Sequence, residues 1–478
     1  MTVPLAGSTR PHCVPQLCLF IHGHNLVEVN SFVDVMGLIT RSNSHVSLSL
    51  SCEVRRVRTN LSATMAQQLV AFVKNVKDAI DSEDGKLLSA YLDLSPSVVA
   101  HPPALLKAFE DENALRSACS RLLTGNFVKI VEGHYRCLYL ASVNRFIEGF
   151  EQQSECASAF LAEMNMERPE KTNWWLRPIH TMMITFRNVA FKADEQKAKE
   201  QGNSKSVFAI QVPEVLQRFF RRMIQDRSQF NVSKIAGALF TVNEMLKVYF
   251  HINNLRLCTQ TIRTVEGQTF PALENFPKSQ TVTYNYFLGR LKLFDEQYEQ
   301  AEKSLQWAFS HCHRGAWKNK RKILEFLIPV KLYLGKYPKR RLLEKYKLMH
   351  FHGIVAAMSL GRLDLFENEL KKHEEAYIKK GVFLTLEQLK MFVYRNLFSR
   401  VLAVQQARPT NTKKSLLPFD VMQLAMRLNN RPDIDCNEIE CITANLIYDK
   451  FLKGYIAHQR GVMVSQTDPF PAINRSSA

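Results

Sequence analysis

The chain reads as an all-α solenoid of tetratricopeptide-like helical hairpins capped by a C-terminal winged helix, and three observations carry that reading. Apolar residues recur at helical spacing from Met65 onward, with few β-branched alternations. Small residues fall at hairpin positions between Tyr284 and Lys347. The period drops to that of a strand only near the C-terminus.

Residues Met1 to Thr64 stand apart: they are rich in Ser, Val and His, lack helical periodicity and carry a basic knot at Arg55-Arg56-Val57-Arg58. They are expected to form a disordered extension, the knot being too small for a strong targeting signal. Met65 reads as the natural beginning of the folded chain. Leu69, Phe72, Val73, Val76 and Ile80 then make one apolar helix face, expected to end at Asp84-Gly85. From Leu87 to Phe270 the pattern stays helical, punctuated by Pro96, Pro102-Pro103 and Pro178. The charged stretch Lys192 to Ser206 is expected to be a solvated loop, and Trp174-Trp175 a core or interface pair rather than a stacking surface for bases. Residues 65–270 are taken as an N-terminal helical region and 271–395 as the repeat-containing part.

Within that second part, Leu288-Gly289, Ala301 and Ala308 sit at the small positions of a helical hairpin. Tyr298, Ala301, Leu305, Ala308, Phe309 and Cys312 give its second helix a buried stripe. Leu334-Gly335 and Leu360-Gly361 place glycine where a left-handed residue closes a helix. Hairpins cannot bury their faces alone, so they stack, and the stack needs a cap. Gly381 to Phe398 is expected to be one long amphipathic helix leading to that cap, followed by a surface loop from Gln405 to Ser415.

The cap spans 396–468, with 469–478 as a tail. Leu416 to Leu428 supplies a helix, and Asp435 caps the next, with Glu438 placed to reach back to it. Ile439, Ile442, Leu446, Ile447 and Phe451 share one face and must be buried. Tyr455 to His458 and Val462 to Val464 then form a two-stranded wing joined across Gln459-Arg460-Gly461.

With 63 Lys+Arg against 45 Asp+Glu, the 478-residue chain carries +18, which suits a polyanion or a strongly acidic protein. The densest charge lies between His311 and His350: Arg314, Lys318, Lys320, Arg321, Lys322, Lys331, Lys336, Lys339, Arg340, Arg341, Lys345 and Lys347, opposed only by Glu325 and Glu344. Such density suits phosphates, because each one neutralised releases condensed counterions. Trp317, Tyr337 and Tyr346 are interleaved and could stack on unpaired bases. A solvated basic face or a seat for an acidic protein fits the same residues. Asp435, Glu438, Glu440 and Asp449 make the winged-helix helix acidic, which argues against major-groove reading. Its cations gather on the wing, Lys453 and Arg460 among them, so contact with the nucleic-acid backbone is the expected mode.

The ten cysteines are scattered without a C-x-x-C, the closest pairs being Cys13/Cys18 and Cys436/Cys441, and read as reduced thiols of a nuclear or cytosolic protein. No apolar run reaches the roughly 18 residues of a membrane span, so membrane insertion is not expected. The stretch Val14 to Ile21 is too short, and lacks the basic flank, for a signal peptide. His311-Cys312-His313 invites zinc, but neighbours on a helix diverge and cannot share one ion. His373-Glu374-Glu375 lacks the second histidine of a zinc protease, His134 stands alone, and no phosphate loop, dinucleotide fingerprint or nucleophile elbow occurs. No catalytic residue, metal site or cofactor is expected.

The order of hairpins, bridging helix and winged helix resembles the PCI family. The runs His311-Cys-His-Arg314, Lys318-Asn-Lys-Arg321, Pro329-Val-Lys331, Tyr394-Arg-Asn-Leu-Phe398, Ala444-Asn-Leu-Ile-Tyr448, Lys453-Gly-Tyr-Ile-Ala-His-Gln459 and Pro469-Phe-Pro471 resemble, within it, the PCI subunit of the transcription-and-export complex 2. The resemblance covers about Met65 to Pro471. Residues Met1 to Thr64 have no counterpart, and the Gln405 to Ser415 loop is longer than usual. It implies a nuclear scaffold without enzymatic activity. Its implied partners are a larger PCI protein of the germinal-centre-associated nuclear protein type and the small acidic subunit shared with the proteasome lid. RNA or duplex DNA and the nuclear pore complete the set, with some of the protein in the cytoplasm. The other reading is a purely structural subunit of a proteasome-lid or signalosome-like assembly, without nucleic acid.

Overall fold

In the computed structural model, which describes residues 66–93, 108–166, 173–202, 206–407 and 415–472, helix follows helix from the start. The helices are α1 (66–81), α2 (Gly85–Tyr91), α3 (Glu112–Leu122), α4 (Asn126–Ser142), α5 (Phe146–Asn165), α6 (Leu176–Gln201), α7 (Val212–Gln225), α8 (Ala238–His251) and α9 (Leu255–Val265). Then come α10 (Lys278–Phe294), α11 (Tyr298–His311), α12 (Trp317–Tyr333), α13 (Arg340–Lys345), α14 (His350–Leu360), α15 (Leu363–Lys372), α16 (Glu374–Lys380), α17 (Phe383–Gln388) and α18 (Lys390–Ala407). The winged helix consists of β1 (Leu416–Pro418), α19 (Phe419–Leu428), α20 (Cys436–Tyr448), β2 (Gly454–Ala457) and β3 (Val462–Ser465). The Met1 to Thr64 extension with its arginine knot, Cys13/Cys18, and Pro96 and Pro102-Pro103 lie outside the described residues. No helix among those described is long and apolar enough to cross a membrane.

Helical spacing buries the faces it predicts. Leu69, Phe72, Val73 and Val76 are buried along α1, and Tyr298, Ala301, Leu305 and Ala308 along α11. In the hairpin of α10 and α11, Gly289 lets the helices touch: a Cβ there would lie 2.5 Å from Leu305 Cγ. Trp175 is buried and packs on Trp174 with ring centroids 4.8 Å apart, as expected of a core pair.

One turn geometry recurs ten times among the described residues: a residue with positive φ, followed by one whose N–H donates to the carbonyl five residues earlier. The positive-φ residues are Glu83, Asn144, Asn253, Glu296, Gly335, Lys347, Gly361, Gly381, Asn430 and Lys450. The closing bonds include Asp84 to Ala79 at 3.1 Å, Arg145 to Leu140 at 2.9 Å, Asn254 to Tyr249 at 2.8 Å and Gln297 to Lys292 at 2.8 Å. This Schellman closure satisfies carbonyls that a helix end leaves bare. Gly335 and Gly361 close their helices as the sequence predicts.

Other boundaries differ from expectation. Gly85 does not stop α1; Glu83 does, while Asp84 caps α2 by accepting from Lys86 N and Leu87 N at 2.9 Å each. Gly85 is needed for space, since a Cβ would meet the Trp174 carbonyl. Lys192 to Gln201 is helix, not loop. Its Asp194 is buried and accepts from the N–H groups of Val207, Phe208 and Ala209 at 2.7 to 3.0 Å, while residues 203–205 of the expected loop lie outside the described residues. The single helix expected from Gly381 to Phe398 is two, α17 and α18. The second runs on to Ala407, so the loop expected from Gln405 is helical as far as Ala407, and residues 408–414 of it lie outside the described residues. The expected 395/396 boundary falls inside α18.

The winged-helix sheet has the order β1-β3-β2, all antiparallel, with Leu417 and Ile456 both opposite Met463. Leu416 to Pro418 is therefore a strand, where a helix start was expected. Ile439, Ile442 and Leu446 are buried on α20, whose cap is confirmed by Glu438 N donating to Asp435 at 2.7 Å. Phe451 is buried too, but from the turn after α20, where its ring meets Phe392 of α18 at 4.7 Å. A single cluster of buried side chains runs from Leu293 to Met463, so repeat and winged helix share one core. Glu367 of α15 fastens the joint by pairing with Lys390 at 2.8 Å and with Arg431. Burial opposes its charge, but those two hydrogen bonds outweigh burial and hold its carboxyl below the usual range.

Candidate nucleic-acid interface

The basic run folds into the end of α11, the loop after it, α12 and α13. Two aromatic rings bring these pieces together. Phe309 of α11 meets Tyr346 at 5.9 Å, Lys320 Nζ lies 4.8 Å over Phe309, and Lys345 Nζ lies 5.6 Å over Tyr346. The first turns of α12 and the end of α13 thus flank one ring pair. Tyr346 itself is buried, which removes it as a stacking platform; Trp317 and Tyr337 are exposed.

The cations divide into two groups. Lys320 donates to the Phe309 carbonyl at 3.1 Å, Arg321 faces Glu325 at 3.5 Å, and Arg340 donates to Glu344 at 2.9 Å. Lys336 pairs with Glu302 at 2.7 Å and Lys331 approaches the same carboxylate at 3.9 Å. Glu302 sits on α11, so the linear run did not reveal it. Arg314, Lys318, Lys322, Lys339, Arg341, Lys345 and Lys347 are exposed and make no ion pair among the described residues. Lys318 and Lys322 lie one turn apart on the same face of α12.

Lys453 and Arg460 are exposed on the winged helix and belong to elements apart from α12 and α13. Lys453 N donates to Pro469 O at 2.8 Å and Arg460 sits at the wing tip. The acid face of α20 is partly engaged: Asp435 is consumed by capping, and Glu440 holds His458 of the wing at 2.8 Å. What the sequence did not flag is an apolar exposure on the same module. Leu424, Leu428 and Tyr448 are 58%, 81% and 86% exposed.

His311, Cys312 and His313 are not consecutive on a helix, because α11 ends at His311 and Cys312 is extended. They point to separate tasks. His311 stacks on Trp307 at 4.1 Å, burial pushes the Cys312 thiol up against the opposing pull of Lys320, and His313 Nδ1 accepts from Gly315 N. Among the described residues no group of His, Cys, Asp and Glu is placed to hold a metal ion.

Comparison with known proteins places this architecture. Residues 370–467 match the PCI domain, and residues 221–350 match PSMD3-like, N-terminal TPR repeats. The PCI domain-containing protein 2 of Xenopus laevis is 35% identical over 405 residues, covering 84% of this chain and 97% of the relative. That of Danio rerio is 34% identical over 409 residues, covering 85% and 98%. A Protein CSN12 homolog of Gibberella zeae is 29% identical over 352 residues, covering 67% and 77%.

Proposed function

Because the chain belongs to the PCI domain-containing protein 2 family, whose folds are protein-interaction scaffolds, we propose that it is a non-enzymatic subunit of a nuclear complex coupling transcription to mRNA export. In this reading it pairs through its winged helix with a larger PCI protein of the germinal-centre-associated nuclear protein type. It also seats the small acidic subunit shared with the proteasome lid, and works in the nucleus and at the nuclear pore. The exposed Leu424, Leu428 and Tyr448 support pairing, because large apolar side chains left in water on one small module suit a protein partner.

RNA or DNA binds, in the same reading, to the surface of α12 and α13. The observation that carries this is the set of seven exposed cations without an ion partner among the described residues, Arg314, Lys318, Lys322, Lys339, Arg341, Lys345 and Lys347. Unneutralised charge of one sign attracts phosphate independently of sequence. A second reading, a purely structural subunit of a proteasome-lid or signalosome-like assembly, draws on the PSMD3-like repeats and the Protein CSN12 homolog.

A salt titration of single-stranded RNA and duplex DNA, on the chain alone and in complex with the larger PCI protein and the acidic subunit, separates the two. Salt-steep binding that tightens in the complex supports the export reading. No binding in either state, with the complex intact, refutes the nucleic-acid half and leaves assembly as the role of the basic surface.

A further inference from the structure

A second cationic region opens beside the first, in a groove of roughly 600 Å³ walled by α6, α8, α10 and α12. Among the described residues four basic side chains line it, Arg187, Lys247, Arg290 and Lys322, and no carboxylate does. Beneath them Glu244, fully buried, pairs with Arg187 and with Lys247 at 2.5 Å, cancelling one charge of the four. The groove is therefore strongly positive.

Its rings are as distinctive as its charge. The Arg290 guanidinium lies 4.3 Å from the Phe250 ring centroid and 4.5 Å from that of Phe326, and its buried Nε has no hydrogen-bond partner among the described residues. A cation held between ring faces, with no carboxylate against it, keeps its field for a ligand. His251 is exposed and stacks on Phe191 at 3.9 Å, which offers a flat surface to solvent. Asn319 and Lys322 belong both to this groove and to the basic surface of α12, with Lys318 one turn away.

We propose that the groove takes unpaired nucleotides, the rings at His251 and Phe191 stacking a base while Arg290 and Lys322 take its phosphates, so that the protein prefers single-stranded RNA or DNA to duplex. Stacking of this kind needs a free base face, and a duplex has none to offer because its bases already stack on each other. An acidic peptide would satisfy the cations and leave the His251–Phe191 surface unused. The proposal rests on the nucleic-acid reading of α12 and α13 and sharpens it.

Fluorescence anisotropy on the full chain tests it, with a labelled oligouridine and a duplex of equal length as probes. Single strand should bind about tenfold tighter than duplex at equal salt. His251→Ala should weaken single-strand binding about fivefold and leave duplex binding unchanged, whereas Arg314→Glu with Lys318→Glu should weaken both. Photo-crosslinking of 5-iodouridine RNA should mark peptides carrying Phe191, His251 or Tyr286. His251 is exposed, so its variant keeps the fold, which a matching melting curve confirms; Phe191→Ala repeats the test from the other ring. Equal affinity for both probes, with no effect of His251→Ala and crosslinks elsewhere, overturns the groove and leaves the basic surface standing. Displacement by polyglutamate as effective as by oligouridine makes the groove a protein seat and overturns it too. Absence of binding by either probe refutes both proposals together.

Discussion

Arg395 of α18, only 8% exposed, donates to the main-chain carbonyl of Phe470 at 3.0 Å, and the same terminal nitrogen reaches the Pro471 carbonyl at 2.5 Å. Its other terminal nitrogen donates to Asn396 at 2.8 Å, and the Phe470 ring lies 5.7 Å from the guanidinium. Burial weakens its hold on the proton, offset in part by Tyr337 and Asp468. A buried arginine answered by carbonyls straps the end of the winged helix onto the helix that enters it. Two runs that looked unrelated in sequence, Tyr394 to Phe398 and Pro469 to Pro471, are thereby one contact.

Removing the strap should be costly. Arg395→Met keeps volume but takes this donor from the half-buried carbonyls of Phe470 and Pro471, which should cost about 1–2 kcal/mol in urea unfolding. Limited proteolysis should then cut beyond Ser465 first. An unchanged midpoint would mean that Lys453 N, bonded to Pro469 O, holds the segment by itself.

The contact of Gly289 with Leu305 predicts a coupled pair. Gly289→Ala forces a carbon to within 2.5 Å of Leu305 Cγ and should destabilise by about 1–3 kcal/mol. Leu305→Ala opens a cavity at a fully buried site and should cost about 2–4 kcal/mol. Together they should cost less than the sum, because each relieves the other's defect, and a double-mutant cycle measures the difference. Strict additivity would place the helices farther apart than described.

Charges that look alike along α12 should behave differently. Lys318→Glu with Lys322→Glu removes exposed, unpaired cations, so the slope of binding against salt should fall by about 2 with melting unchanged. Lys320→Glu breaks the bond to the Phe309 carbonyl and should lower stability by about 1 kcal/mol, which thermal unfolding would register.

His180 gives the fold a pH dependence. It stacks on Phe240 at 3.9 Å, its Nε2 is buried without a hydrogen-bond partner among the described residues, and burial pushes its pKa down from 6.5 to about 3. The unfolded chain takes up a proton below pH 6.5 and the folded one resists until about pH 3. This contribution is therefore fully present above pH 6.5 and is lost as pH falls toward 3, amounting to about 2 kcal/mol at pH 5. His180→Phe should keep the stack and flatten the stability profile between pH 7 and 5 by that amount. A profile parallel to the parent's would mean that the imidazole protonates freely in the fold.

Periodicity and glycine made much of the architecture legible. Leu69, Phe72, Val73 and Val76 of α1, the stripe of α11 and the Asp435 cap follow from local spacing alone. What stayed hidden depends on partners distant in sequence. Leu416 to Pro418 has no alternation of its own and becomes a strand because β3 supplies its hydrogen bonds. Glu302 neutralises Lys336 from another helix, and Tyr346 is buried by Phe309, so a linear count of cations and rings overstated the open surface. The groove at Arg290 was invisible because its cations come from four helices.

The turns carry a consequence for engineering. Seven of the ten closures hold a residue with a Cβ in a conformation that suits glycine, among them Glu83, Glu296, Lys347 and Lys450. Left-handed backbone burdens such residues by about 1–2 kcal/mol, more than glycine's extra chain entropy takes back. Replacing these four by glycine should raise the midpoint of unfolding stepwise, by about 0.5–1 kcal/mol each, without touching either candidate surface except at Lys347. The chain thus carries an unclaimed reserve of robustness, spread from its first helical turn to its last, that could be drawn on to handle the subunit free of its assembly.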